Sequence, residues 1–188
     1  NALGTIFESA TKMSVFEAFK RHIAEPLRMQ DFRPEDTQYV RGADSIHPAY
    51  PFRMTARDMA RFGLLYLREG QWQGKQIVPK EWVVESTTSY SSATTENGRV
   101  HAGYGYMWWT ELGGRHLDNV DLPKGSFSAR GAGGHYILIV PALDLVIVHR
   151  VNTDNEEKGP KVSNEQFGKL VAMILEAMPA KNVKHPAC

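Results

Sequence analysis

The chain has 188 residues, 42% hydrophobic and 23% charged, with 22 basic and 21 acidic residues and a net charge of +1. That size suits one ordinary globular domain, and the balanced charge, with no dense Lys/Arg cluster, argues against a nucleic-acid or anionic-membrane partner. No apolar run approaches the roughly 20 residues of a membrane-spanning helix, and the one cysteine, Cys188, cannot close a disulfide within the chain.

Leu3, Ile6, Phe7 and Ala10 recur at helical spacing and predict a helix over residues 2–11. Ser14-Val15-Phe16-Glu17 is a capping-box pattern that opens a second helix, with Phe16, Phe19, Ile23 and Leu27 on one face. Pro26 ends or kinks it. Residues 28–52 read as a long loop punctuated by Pro34, Gly42, Pro48 and Pro51, the kind of stretch that is functional or covers something. Thr55 opens a third helix, with Asp58 in its first turn, Met59, Phe62, Tyr66 and Leu67 as its buried stripe and Gly70 as its C-cap. Arg57, Asp58 and Arg61 are expected to serve the helix start and its exposed face.

Pro79 fits the first position of a short helix carrying Trp82 and Val83. Residues 86–98, rich in Ser and Thr, read as a loop. Tyr104 to Trp109 reads as an aromatic strand with Trp108 and Trp109 on opposite faces, one toward the core and one toward a cleft or partner. Ile137 to Val140 and Leu145 to Val148 flank a turn at Pro141–Asp144 and predict a hairpin. Ser163 to Gln166 caps a final helix whose apolar face is Phe167, Leu170, Val171, Ile174, Leu175 and Met178. Helices, then about three antiparallel strands, then a helix able to cover the sheet make an α+β arrangement in a single domain over residues 1–188.

The strongest functional signal is Ser128 to Tyr136, where a small, glycine-rich segment runs into the first hairpin strand. Glycines there let a ligand or another backbone approach closely. His135 and His149, in or near the hairpin, and His47, in the long loop, read as packed or hydrogen-bonded histidines. The seven histidines show no compact ligand spacing, so neither a metal nor another cofactor is expected. Ser9-Ala10-Thr11-Lys12 spells Ser-x-x-Lys, which on a helix would let the lysine amine take the serine proton. A four-residue match is also easily accidental.

Several segments in order resemble the class C β-lactamase-related serine hydrolases, a superfamily that includes penicillin-binding proteins, esterases and amide hydrolases. They are Asn1 to Glu8, Glu25-Pro26-Leu27-Arg28-Met29, Pro51 to Gly63, Gly70 to Lys75, Tyr104 to Trp109 and Gly133 to Pro141. The resemblance implies a β-lactamase/transpeptidase-like fold and hydrolysis of a small ester or amide through an acyl-enzyme, in a periplasmic or extracytoplasmic setting. In that family a Ser-x-x-Lys pair supplies nucleophile and base, and a Tyr-x-Asn pair relays protons. A Lys-Thr-Gly or His-Thr-Gly strand binds substrate and lends an oxyanion N–H. Here the third motif falls on Ala129-Arg130-Gly131 and departs from the pattern at two positions, with Arg130 offering a cation and the Ala132 N–H a candidate oxyanion donor.

The Tyr-x-Asn and Ser-x-x-Lys motifs are expected upstream of Asn1, so the chain reads as an incomplete, C-terminal part of such an enzyme, inactive alone. Such a part should leave an apolar face and a sheet edge open to association. A non-catalytic ligand-binding or interaction module, with the aromatic strand and Gly131 to Gly134 forming its groove, is the alternative.

Overall fold

The computed structural model describes residues 1–94, 100–153 and 161–179, without the side chain of Val100. Cys188 and the last part of the predicted 86–98 loop lie outside the described residues.

Helix α1 spans Ala2–Thr11, as the spacing predicts. The described residues leave its apolar face open: Leu3 is 66% and Ile6 62% exposed, and of the helix only Gly4 is buried, against the ring of Tyr50. Helix α2 (Val15–Phe19) begins where the Ser14 hydroxyl accepts from the Glu17 N–H at 3.1 Å, then widens into a π-helical turn over Lys20–Ala24. Beyond Pro26, Arg28 adopts a left-handed φ of 52° and the helical path ends. The 28–52 stretch is less irregular than its prolines suggest. It holds a 3-10 turn at Pro34–Asp36 and a small hairpin, β1 (Val40–Gly42) with β2 (Ser45–Ala49). Phe52 packs against Phe16 and Phe19 at ring separations of 5.2 and 4.9 Å, tying this stretch to α2.

Helix α3 (Ala56–Leu67) starts at Thr55, whose hydroxyl accepts from the Asp58 N–H at 3.3 Å. Asp58 itself does not serve an exposed face; it is completely buried. The preceding loop folds over the helix start, so the carboxylate accepts from the backbone N–H groups of Gln30 and Asp31 at 3.2 and 3.0 Å and from Arg61 at 3.2 Å. An Asp58→Ala variant would leave those donors without their acceptor. It is expected to lose about 1–3 kcal/mol in urea denaturation; a change within about 0.5 kcal/mol, typical of a surface site, would contradict this account. At the other end of α3, the Gly70 N–H bonds to the Leu65 carbonyl at 2.8 Å. Gly70 sits at φ 83°, and a Cβ there would lie 2.0 Å from the Val78 oxygen, so only glycine fits. A short hairpin follows, β3 (Gln71–Trp72) with β4 (Lys75–Gln76), and then α4 (Lys80–Ser86), with Pro79 as N-cap, one place earlier than expected.

One antiparallel sheet organises the rest: β5 (Ser91–Thr94), β6 (Val100–Tyr104), β7 (Trp109–Thr110), β8 (Phe127–Gly131), β9 (His135–Val140) and β10 (Leu145–His149), in the order β10-β9-β8-β7-β6-β5. Three readings of the sequence need correction here. Ser91–Thr94, read as part of the 86–98 loop, is strand β5, paired with β6. The Tyr104–Trp109 segment is not one strand. The chain reverses at Gly105–Met107, with Met107 at φ 66°, so the aromatics span β6, a turn and β7. Ser128 to Gly131 is not an approach to a strand but is itself part of β8, and the glycines that follow form the β8–β9 turn. Three expected strands are therefore six. The predicted β9–β10 hairpin is present, paired from Val140↔Leu145 to Tyr136↔His149.

Strand β9 is covered on both faces. Tyr136, Leu138 and Val140 face Phe167 and Val171 of helix α5 (Asn164–Ala177), with the Tyr136 and Phe167 rings stacked at 4.1 Å. Ile137 and Ile139 face Tyr66, Trp108 and Phe127 on the α3 side. The last helix covers the sheet as its apolar stripe predicts, and its reciprocal capping box joins Ser163 and Gln166. Helix α3 rides close on the opposite face: a Cβ at Gly63 would lie 2.7 Å from a methyl of Val146. Among the described residues no helix is long and apolar enough to cross a membrane.

Candidate active-site cleft

Strand alternation places Ser128 and Arg130 on one face of β8, and the Trp109↔Ser128 pairing brings Trp109 of β7 to the same face. The Arg130 guanidinium lies 4.8 Å from the Trp109 ring centre. Its Nε donates to the Ser128 hydroxyl at 3.1 Å and its Nη2 to the His116 carbonyl at 2.5 Å. The His116 Nε2 in turn lies 2.9 Å from the Ser128 oxygen. Backbone, hydroxyl and indole thus hold the guanidinium in one orientation.

The electrostatics follow from burial. Burial lowers the Arg130 pKa to about 10, which still leaves it cationic at neutral pH. Burial, and secondarily the neighbouring Arg130 charge, pushes His116 down to about 3. A neutral imidazole is the form that tolerates the neighbouring guanidinium.

A cleft of about 470 Å³ opens beside this group, between β5–β8 and the start of α5. Arg130 and Gly131 line it together with Trp109, His101, Asp118 and Thr94. His101 Nδ1 lies 3.8 Å from an Asp118 carboxylate oxygen. The cleft therefore offers a fixed cation, an imidazole beside a carboxylate, and part of an indole. Such an arrangement can anchor a polar small molecule, but among the described residues its lining holds no serine–lysine pair.

Of the residues singled out in the sequence, Arg130 and Gly131 come together in the cleft, while Ala132 is exposed at the turn outside its lining. Trp108 is buried and Trp109 faces the cleft, the division expected for neighbours of opposite orientation. The close approach at the glycines is made by backbone. Gly134, at φ 106°, has no room for a Cβ, which would lie 2.6 Å from the Val162 oxygen; the Val162 N–H donates to the Gly133 carbonyl at 3.0 Å. His149 Nδ1 lies 2.8 Å from the Gly134 oxygen, and His47 Nδ1 lies 3.1 Å from the Thr5 hydroxyl. His135 Nε2 lies 3.4 Å from the Thr153 hydroxyl. Ser9 and Lys12 are both exposed, and α1 ends between them at Thr11, with Lys12 at φ 59°.

Sequence reasoning missed His101, His116 and Asp118, and it singled out Ser128 only as the start of the glycine-rich segment, without its part in holding Arg130. Had 128–131 been read as a strand, the place of Ser128 two residues before Arg130 would have put both on one face. His116 and Asp118 ride on the irregular segment 111–126. Its turns are fastened by the Glu111 carboxylate, which accepts from the Gly114 N–H at 2.5 Å and the Gly125 N–H at 3.2 Å.

Three comparisons bear on this arrangement. The family model described as Beta-lactamase matches residues 1–167. An uncharacterized protein of Alkalihalophilus pseudofirmus is 37% identical over 129 residues, 68% of this chain and 38% of its own length. A solved protein of Bacillus anthracis, provisionally described as a 6-aminohexanoate-dimer hydrolase, superposes with a TM-score of 0.59 at 24% identity, over 93% of this chain and 40% of that one. A solved protein of Bacteroides dorei DSM 17855, provisionally described as a beta-lactamase, superposes with a TM-score of 0.60 at 19% identity, over 92% of this chain and 54% of that one. At these identities the two solved structures speak to the fold alone. The chain spans between about two fifths and one half of the length of these relatives.

Proposed function

We propose, from the premise that this chain belongs to the beta-lactamase family, that it forms the substrate-binding wall of a serine hydrolase acting on a small ester or amide. The observation that carries the reading is the clamped guanidinium of Arg130 at the mouth of the cleft, on the strand that resembles the family's third motif. Arg130 attracts and orients an anionic or carbonyl oxygen of the substrate. Gly131, with no side chain, lets the substrate lie against the β8 backbone. His116 and Ser128 act through Arg130 by holding it. The acyl-enzyme would form on a serine activated by a lysine, through attack of the hydroxyl oxygen on the substrate carbonyl with loss of the alcohol or amine, and water would then release the acid. The geometry of Ser9 and Lys12 does not supply that pair.

A fluorophosphonate probe tests the reading in two arms. The chain and its Ser9→Ala variant are both expected to remain unlabelled. A chimera in which this chain replaces the matched region of the Alkalihalophilus pseudofirmus relative is expected to take the label and to hydrolyse p-nitrophenyl esters. In it, Arg130→Ala should lower kcat/KM by about tenfold or more. Labelling of the chain that is lost in Ser9→Ala would make Ser9 the nucleophile. A folded chimera that takes no label would favour a non-catalytic ligand-binding module.

A further inference from the structure

A second feature lies away from the cleft. Trp82 of α4, Tyr90 just before β5 and Tyr106 in the β6–β7 turn are 45%, 57% and 43% exposed, although aromatic rings of this size usually bury themselves. They form one surface. The Tyr90 and Tyr106 rings are nearly parallel, 15° apart with centres at 5.1 Å, and Trp82 adjoins Tyr106 at 5.7 Å.

The surface is held in place by backbone. The Tyr106 N–H donates to the Ser86 carbonyl at 2.8 Å, and the Gly105 N–H to the Trp108 carbonyl at 2.8 Å. A Cβ at Gly105 would lie 2.3 Å from the Ser86 oxygen, so the turn is seated directly on the end of α4. The rings are therefore presented on a fixed support.

Charge distinguishes this surface from a merely apolar one. The Tyr106 hydroxyl donates to the Glu85 carboxylate at 3.1 Å, and Glu85 is exposed. Glu81, also exposed, stands one helical turn earlier on α4, so two like charges share a face at a spacing that is mutually repulsive. Lys80, the basic residue of that helix, is committed to Glu69 at 2.6 Å. Donation of the phenol proton toward a carboxylate enriches the Tyr106 ring in electron density. Flat π-faces beside an acidic pair complement a planar cation.

We propose that Trp82, Tyr90, Tyr106 and Glu85 form a docking surface for an arginine side chain on a peptide or protein partner. Arginine fits better than a compact ammonium because Tyr90 and Tyr106 stack on each other and enclose no cage, so that a cation meets a flat outer ring rather than a pocket. A guanidinium stacks flat on an open aromatic face while its fork reaches a carboxylate. The surface does not depend on the hydrolase reading, since none of its residues lines the Arg130 cleft.

The test is a titration of the full chain with a short acetylated, amidated Gly-Arg-Gly-Arg-Gly peptide, followed by NMR of the Trp82 indole. The probe is compared with peptides carrying citrulline or lysine in place of arginine. The arginine peptide is expected to shift the Trp82 resonance, the lysine peptide to do so more weakly, and the citrulline peptide to leave it unmoved. Glu85→Gln should weaken binding about threefold to fivefold, and Tyr106→Ala should abolish it with the thermal midpoint within a few degrees of the parent. Equal shifts from the citrulline peptide, a Glu85→Gln variant that binds as the parent does, or no shift with the arginine peptide would each overturn the proposal. So would a response only to a neutral oligosaccharide.

Discussion

Replacing Gly168 by alanine is expected to destabilise the protein by about 3 kcal/mol or more. Alanine is the better helix former by roughly 1 kcal/mol, so propensity alone predicts the opposite sign. The contact decides the outcome. Gly168 is buried on α5, and a Cβ there would lie 1.7 Å from the backbone oxygen of Asp118 and 2.9 Å from its carbonyl carbon. Backbone atoms cannot rotate away as a flexible side chain could. The variant must lift α5 off the sheet, weakening the Phe167 and Val171 contacts, or push the 111–126 segment outward. The first shift moves Asn164 at the start of α5 and the second moves Asp118, and both residues line the cleft. The thermal midpoint should fall by roughly 6–12 °C for a domain of this size. Lys169→Ala, at the neighbouring exposed position of the same helix, should change it little. A midpoint for Gly168→Ala equal to or above the parent's would show that the close approach is not maintained in solution.

The second large effect is an acid limb set by His116. Its pKa stands at about 3 in the fold, against about 6.5 in an unfolded chain. Between those values the unfolded chain binds a proton that the folded chain refuses, so stability is fully present above about pH 6.5 and declines as the pH falls. From pH 7.5 to 4.5 the loss is about 2–3 kcal/mol, and on the order of 4 kcal/mol by pH 3. His135, whose pKa burial also lowers, acts in the same direction. Asp31 and Glu165, held below their ordinary range mainly by a hydrogen bond from Thr55 and from Lys169, lose their contributions at lower pH still. The comparison with His116→Gln isolates the imidazole: glutamine keeps a polar group near Ser128 but does not titrate. The variant's stability should fall less steeply from pH 7.5 to 4.5, by that same margin. Identical slopes for parent and variant would mean that His116 takes up its proton in the folded state.

Local chemistry was legible in the sequence wherever an element specifies its own ends. Ser163 with Gln166, Thr55 with Asp58, and Gly70 after α3 marked boundaries that depend on residues within one turn. The β9–β10 hairpin was legible for the same reason, two apolar runs about a proline turn. What stayed hidden depends on distant partners. Asp58 looks like any first-turn acid until the loop at Gln30 and Asp31 folds over it. The turn at Gly105–Met107 escaped notice because the left-handed position falls on Met107, a residue seldom found there, amid aromatics suited to a strand. Helical spacing marked the apolar face of α1 correctly but could not say that the described residues leave it open. The cleft was half legible. Arg130 and Gly131 fall in a segment marked by its glycines and by the family resemblance, whereas His116 and Asp118 come from a segment without periodicity, positioned by the Glu111 carboxylate.

Strand β9, walled in by α3 on one side and α5 on the other and flanked by β8 and β10, also sets a gradient in how the molecule breathes. Its amides between Ile137 and Val140 can meet water only when both helical layers part, an event close to global unfolding. Those of α1 need only the fraying of one helix whose apolar side the described residues leave exposed. Hydrogen–deuterium exchange should accordingly sweep the chain from its first helix inward and reach Leu138 and Ile139 last, so that the wall bearing Arg130 is built against the slowest-opening strand of the protein.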